Sequence, residues 1–158
     1  MTNKLKYFVG NWKMFGGLGS IKIINKISKF SHKHKKANKS KIILCVPSTL
    51  IYFFQKNINS KHISLGAQNC HHNLHYGAFT GSINASMLSN AGAKYIILGH
   101  SENRYEGDTS KLIKKKIESS LHEKLNIIFC IGETYTEKKE GKTFSILRKQ
   151  LKNSLDRK

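Results

Sequence analysis

Ile96-Ile97-Leu98-Gly99-His100-Ser101-Glu102-Asn103-Arg104 decides the reading of this chain: three aliphatic residues stop at a glycine and give way to an imidazole, a hydroxyl, a carboxylate and a guanidinium. A short unbroken apolar run fits a strand buried on both faces, as in a parallel sheet. Packing needs no polar cluster at the end of such a strand, whereas α/β enzymes place their reacting groups there. Two other strand-like runs end in the same way. Asn11 and Lys13 follow Tyr7-Phe8-Val9-Gly10, and Gln68 and Asn69 follow Ile63-Ser64-Leu65-Gly66-Ala67. Three strand ends thus converge on one polar site.

Outward from these runs, short β-branched segments alternate with helix-period segments, the pattern of strand–helix units feeding a parallel sheet. The spacing predicts strands at 7–10, 42–46, 63–67, 95–98 and 127–131. The first helix is expected to be capped near Ser20 and to turn Ile23, Ile24, Ile27 and Phe30 inward. Pro47-Ser48 starts a short helix presenting Leu50, Phe53 and Phe54. Ser82 is the expected cap of a helix carrying Ile83, Met87, Leu88 and Ala91 and ending at Gly92. Asp108 or Thr109 opens the next, with Ile113, Ile117, Leu121 and Leu125 as its stripe. The last helix is read over roughly 137–155, with Phe144, Leu147, Leu151 and Leu155 inward. Doubly wound sheets and closed (β/α)₈ barrels both begin in this way, and periodicity does not separate them.

At 158 residues the chain has the size of one domain and can bury a core without a disulfide or metal staple. No linker or low-complexity tract divides it, so 1–158 reads as a single domain. Cys45, Cys70 and Cys130 are odd in number and form no CxxC pair, which suits free thiols in a reducing compartment. The N-terminal MTNKLKYFVGNWK lacks the apolar stretch of a signal peptide, and no run reaches membrane-spanning length. A cytoplasmic, soluble protein with no membrane role is expected. The net charge of +19 invites a nucleic-acid partner. Against a specific one, arginine occurs only as Arg104, Arg148 and Arg157. The lysines read as scattered over helix faces apart from His32-Lys33-His34-Lys35-Lys36, so weak, salt-sensitive, non-specific binding is the expectation.

Several motifs carry little. Gly16-Gly17-Leu18-Gly19 has neither dinucleotide nor P-loop spacing and reads as a turn into the first helix. Cys70-His71-His72-Asn73-Leu74-His75 has ligand-type residues without the spacing of a usual zinc site, so no metal is expected. His100 is different. At a strand end it faces the mouth of the fold, where imidazole can donate or accept a proton near neutrality. Lys13, beside Asn11 and Trp12, can supply a fixed positive charge to an anionic substrate, and Glu102 can orient it. Glu133, in Cys130-Ile131-Gly132-Glu133-Thr134, is either part of that mouth or a helix-start carboxylate, and the structural role is favoured.

Five segments stand in the order and approximate spacing found in triosephosphate isomerase: Gly10-Asn11-Trp12-Lys13-Met14, Gly66-Ala67-Gln68-Asn69, Gly77-Ala78-Phe79-Thr80-Gly81, Gly99-His100-Ser101-Glu102 and Cys130-Ile131-Gly132-Glu133-Thr134. The chain resembles that family across essentially its whole length. The resemblance implies a (β/α)₈ barrel and a homodimer without cofactor. It implies interconversion of dihydroxyacetone phosphate and D-glyceraldehyde 3-phosphate in glycolysis and gluconeogenesis. It also implies His100 as the electrophile, Lys13 as the electrostatic clamp, Asn11 as a substrate contact and Glu102 as a member of the same network. Thr80 resembles the residue that reaches towards the partner's site, and the loop 69–81 is the implied dimer contact.

The chain also departs from the family. The catalytic glutamate is expected in a segment resembling Tyr-Glu-Pro-Val-Trp after a sixth strand, and no such segment occurs here. The hinged lid and the phosphate-binding turns that would follow are likewise absent, leaving about five of eight units, an incomplete and truncated barrel. The 158 residues alone are therefore expected to be inactive. Ser82 and Asn103 stand where the family usually has glutamate and arginine paired across the dimer, and losing both is milder than losing one. The alternative is a non-catalytic, basic βα-repeat fragment acting as a binding module or as the product of a decayed gene.

Overall fold

The computed structural model describes residues 5–33, 39–58, 60 and 62–155. Strands β1 (Lys6–Asn11), β2 (Ser40–Cys45), β3 (Ile63–Ala67), β4 (Tyr95–Leu98) and β5 (Asn126–Phe129) form one sheet in the order β1-β2-β3-β4-β5, every pair parallel. Each strand therefore lies beside its predecessor, and the strand order never reverses. A doubly wound sheet has such a reversal. The sequential order is that of a (β/α)₈ barrel, here with five of its units.

The helices are α1 (Ile21–Lys33), α2 (Ser48–Asn57), α3 (Ala85–Asn90), α4 (Ser101–Tyr105), α5 (Ser110–His122), α6 (Tyr135–Lys139) and α7 (Thr143–Ser154). Side chains alternate along the strands between two apolar layers. Leu44, Val46, Leu65, Ile96 and Leu98 join Ile24, Ile51, Phe54, Leu88 and Ile113 in the layer between sheet and helices. Ile43, Cys45, Tyr95 and Ile97 pack with Ile128 and Cys130 on the other face. Gly66 belongs to that crowded inner face, where an added Cβ would come within 2.5 Å of Cys45 Sγ. Burial falls away at the two sheet edges. Tyr7, Phe8 and Val9 of β1 are exposed, and no residue of β5 is fully buried.

Several expected details are corrected. Ile23 and Phe30 are exposed rather than inward, because the buried stripe of α1 runs through Ile24, Ser28 and Ser31. Asn84, not Ser82, caps α3, its side chain accepting from Met87 N at 2.9 Å, and Met87 is exposed. The stripe of α5 ends at Ile117. Leu121 is exposed, and Leu125 is buried only after the chain turns at Lys124 with φ 57°. The single last helix is two, α6 and α7, separated at Gly141 with φ 69°. Phe144, Leu151 and Leu155 are exposed rather than inward, although α7 packs against α5 and α6. Pro47 stands at the N-cap of α2, and Thr109 caps α5 by accepting from Leu112 N, both as expected. Of the basic cluster at 32–36, only His32 and Lys33 lie within the described residues.

Candidate active site

The turn after β1 combines a local hydrogen bond with long-range ones. Asn11 Oδ1 accepts from Lys13 N at 3.0 Å, an Asx turn that reverses the chain. Lys13 then takes φ 52°, a left-handed backbone that a non-glycine residue holds only when its surroundings impose it. Gln68, just past β3, does part of the imposing. Its Nε2 donates to Cys45 O at 3.0 Å, to Lys13 O at 2.9 Å and to Asn11 Oδ1 at 3.3 Å. Two amide protons facing three acceptors make one of these bonds shared. Gln68 thus ties the ends of β1, β2 and β3 together, which the sequence marked only as a polar residue past a strand.

On the far side of the sheet, β4 ends at Gly99, whose φ of 75° excludes most side chains; an added Cβ would meet Cys130 O at 2.8 Å. Arg104 fills the adjoining gap, donating from Nε to Gly99 O at 2.8 Å and from Nη2 to Cys130 O at 3.2 Å. The short helix α4, which periodicity is too brief to reveal, starts directly after His100. His100 is its N-cap, Nδ1 accepting from Glu102 N at 3.3 Å. A backbone amide can only donate, so in this contact the ring carries its proton on Nε2.

Lys13 and Glu102 join the two halves. Lys13 Nζ lies 2.7 Å from Glu102 Oε1, and Glu102 Oε2 lies 3.4 Å from His100 Nδ1. The latter contact is a charged pair only if Nδ1 is protonated, which conflicts with its acceptor role towards Glu102 N. The cap is the contact that the helix geometry itself requires, since α4 begins there. The hydrogen bond from Lys13 holds the Glu102 carboxyl below the ordinary carboxylate range, with further help from the Lys13 charge. Asn11, Lys13, His100 and Glu102 therefore lie together at one rim, the C-terminal ends of β1 and β4. Thr80 is exposed in the loop between β3 and α3. Glu133 does both: its Oε1 accepts from Thr143 Oγ1 at 3.1 Å at the start of α7, and the residue also lines the cleft beside this rim.

A cavity of about 820 Å³ opens beside this rim, lined by His100, Glu102, Arg104, Cys130, Glu133 and Gln150 among others. Its wall is held by a paired amide contact: Gln150 Oε1 accepts from Gly132 N at 3.0 Å and Gln150 Nε2 donates to Gly132 O at 2.7 Å. An imidazole, an ammonium and an amide gathered at strand ends can bind an anion and polarise a carbonyl. Among the described residues no group of three or more His, Cys, Asp or Glu is placed to hold a metal ion.

Sequential parallel strands, helices on their outer face and a polar cluster at the C-terminal rim define an incomplete (β/α)₈ barrel of the enzyme type. The sequence profile of triosephosphate isomerase matches residues 6–158. A triosephosphate isomerase of Bradyrhizobium diazoefficiens is 39% identical over 157 residues, covering 98% of this chain and 61% of the relative. One of Alkaliphilus oremlandii is 38% identical over 144 residues, covering 90% of this chain and 56% of the relative. The crystal structure of triosephosphate isomerase from Bartonella henselae superposes with a TM-score of 0.87 at 34% identity, covering 96% of this chain and 62% of that one. The chain belongs to the triosephosphate isomerase family. It spans 56–62% of the length of these three relatives.

Proposed function

We propose that this chain supplies the electrophilic and electrostatic half of an active site that interconverts dihydroxyacetone phosphate and D-glyceraldehyde 3-phosphate, a step of glycolysis and gluconeogenesis in the cytoplasm. The observation that carries the proposal is the 2.7 Å Lys13–Glu102 contact, which sets an ammonium from β1 beside the imidazole at the end of β4. His100 Nε2–H donates to the substrate carbonyl oxygen, and Lys13 and Asn11 hold the anionic substrate against it. Family membership implies the remaining step: a glutamate removes the proton next to the carbonyl, the negative charge moves to the oxygen facing His100, and the proton returns to the neighbouring carbon. No cofactor or metal is needed for this proton transfer. The enzyme is a homodimer through the loop 69–81, with Thr80 reaching towards the partner's site. Ser82 and Asn103 leave that interface without the charged pair usual in the family.

The test is a coupled triose-phosphate assay on two preparations. Residues 1–158 alone are expected at background, because losing a positioned base costs about 10²–10⁴-fold and the lid and phosphate turns would be lost with it. A barrel completed with three further strand–helix units bearing the glutamate is expected to turn over. In that barrel His100→Ala and Lys13→Ala should each depress turnover by about 10²-fold or more without unfolding. Robust activity from the 158 residues alone would refute the assignment of the base, and a completed barrel indifferent to both substitutions would refute the site.

A further inference from the structure

Every acidic residue of this chain lies at Glu102 or beyond, so residues 1–101 contain fourteen lysines and no carboxylate side chain. The lysines are not scattered there as the sequence suggests. Lys22, Lys26, Lys29 and Lys33 of α1 follow one another at intervals of four, three and four residues, which stacks them in one row along the helix. All four are exposed. The row lies opposite the face through Ile24, Ser28 and Ser31, which is buried in the fold. It therefore points away from the sheet and stays open even when further strands are added at the edges. At 1.5 Å per residue it is about 16 Å long. Where α1 ends, at the N-terminal rim of the sheet, exposed Lys6, Lys39 and Lys41 stand at the starts of β1 and β2. This is the rim opposite Lys13 and His100.

We propose that this outward face of α1 is a docking strip for the sugar-phosphate backbone of nucleic acid, gripped without reading its bases. A single line of cations on a convex helix complements a linear array of phosphates, which in a duplex recur about every 3.4 Å along each strand. Lysine, a hydrated point charge on a flexible stem, suits such contacts, and the absence of arginine from α1 leaves no bidentate reader of base edges. A membrane surface fits less well. An interfacial helix needs a broad apolar face for the lipid, and on α1 the Ile21, Ile24 and Ile27 side is occupied by the core, which leaves Ile23 and Phe30 as its exposed large apolar side chains. The proposal is independent of the isomerase reading.

Fluorescence anisotropy of the full chain with a labelled 20-base-pair duplex of mixed sequence, between 50 and 200 mM salt, tests it. Four phosphate contacts predict a log–log salt slope of about −3.6, a loss of roughly 150-fold across that range, with no preference among sequences. Lys26→Gln with Lys29→Gln should halve the slope and weaken binding at least tenfold. Lys111→Gln with Lys115→Gln, the same charge change at exposed positions of α5, should leave both nearly unchanged. Circular dichroism confirms that each variant is folded; if the first pair is not, Lys22→Gln with Lys33→Gln replaces it with the same expectation. Equal losses from the α1 and α5 pairs would show diffuse net charge alone and overturn the strip. Tighter binding to phosphatidylserine vesicles than to the duplex at equal salt would overturn the choice of ligand.

Discussion

Lys13 shows how a single residue is made to serve a site. Its left-handed backbone costs on the order of 1–3 kcal/mol, held against that cost by Asn11 on one side of its peptide and Gln68 on the other. Gln68→Ala should therefore loosen the turn and cost about 1–3 kcal/mol in urea unfolding, the net of the hydrogen bonds it removes. A change within 0.3 kcal/mol would show that the strand ends hold themselves. Glu102 supplies a pH signature. Its carboxyl titrates below its ordinary value of 4.5 because the charged form is bonded to Lys13. A depressed acid pKa means that the contact is intact at neutral pH and is lost only as pH falls through the lowered value. Carboxyl chemical shifts should show this, and Lys13→Ala should move the Glu102 midpoint upward; an unmoved midpoint would remove Lys13 as the cause. Asn11, Lys13, His100 and Glu102 were all legible in the sequence because polar side chains past apolar runs are conspicuous. Gln68 and Arg104 look equally polar on paper, and only their bonds to Lys13 O and Gly99 O reveal what they hold.

Among the elements, α5 is anchored by a charge rather than by its apolar stripe alone. Lys116 Nζ lies 2.7 and 2.8 Å from the two Asp108 oxygens and 3.0 Å from Asn69 Oδ1, with both charged side chains under a tenth exposed. The ammonium pins the loop before α5 and the residue past β3 to one point. Removing one partner leaves the other charge buried, so Lys116→Met or Asp108→Ala should each lower stability by about 3–5 kcal/mol, and replacing both with apolar residues should cost less than either. Strictly additive losses in denaturant melts would contradict the pairing. The sequence hid this pair, since a lysine in a helix otherwise rich in exposed lysines reads as solvated. At α5 the sequence left Asp108 or Thr109, of which Thr109 is the cap, whereas α3 starts at Asn84 because its side chain, not that of Ser82, meets the free amide of Met87.

At the scale of the molecule, β1 and β5 are the two edges of the sheet among the described residues, and β1 carries exposed Tyr7, Phe8 and Val9. Such an edge templates pairing with another chain. Sedimentation velocity should show concentration-dependent association beyond the proposed dimer, reduced by Phe8→Lys on the edge and not by Thr80→Asp in the loop 69–81. Insensitivity to Phe8→Lys would place the contact elsewhere. One domain is the reading throughout, and a single cooperative urea transition followed by both Trp12 fluorescence and circular dichroism would bear it out.

Local chemistry suffices for much of this architecture. A strand, a capped helix or an Asx turn is decided by side chains within a few residues of one another, which is why all five strands, the starts of α1, α2 and α5 and the rim residues can be read from the chain. The choice between a doubly wound sheet and a barrel cannot be read from periodicity, because both repeat the same unit; it lies in β1 through β5 pairing in order, a matter of long-range register. The inward faces of α1 and α7 belong to the same class. Ile23, Phe30, Phe144 and Leu151 are apolar at helical spacing and all exposed, because what covers a helix face depends on which element packs beside it and not on the spacing of its own residues.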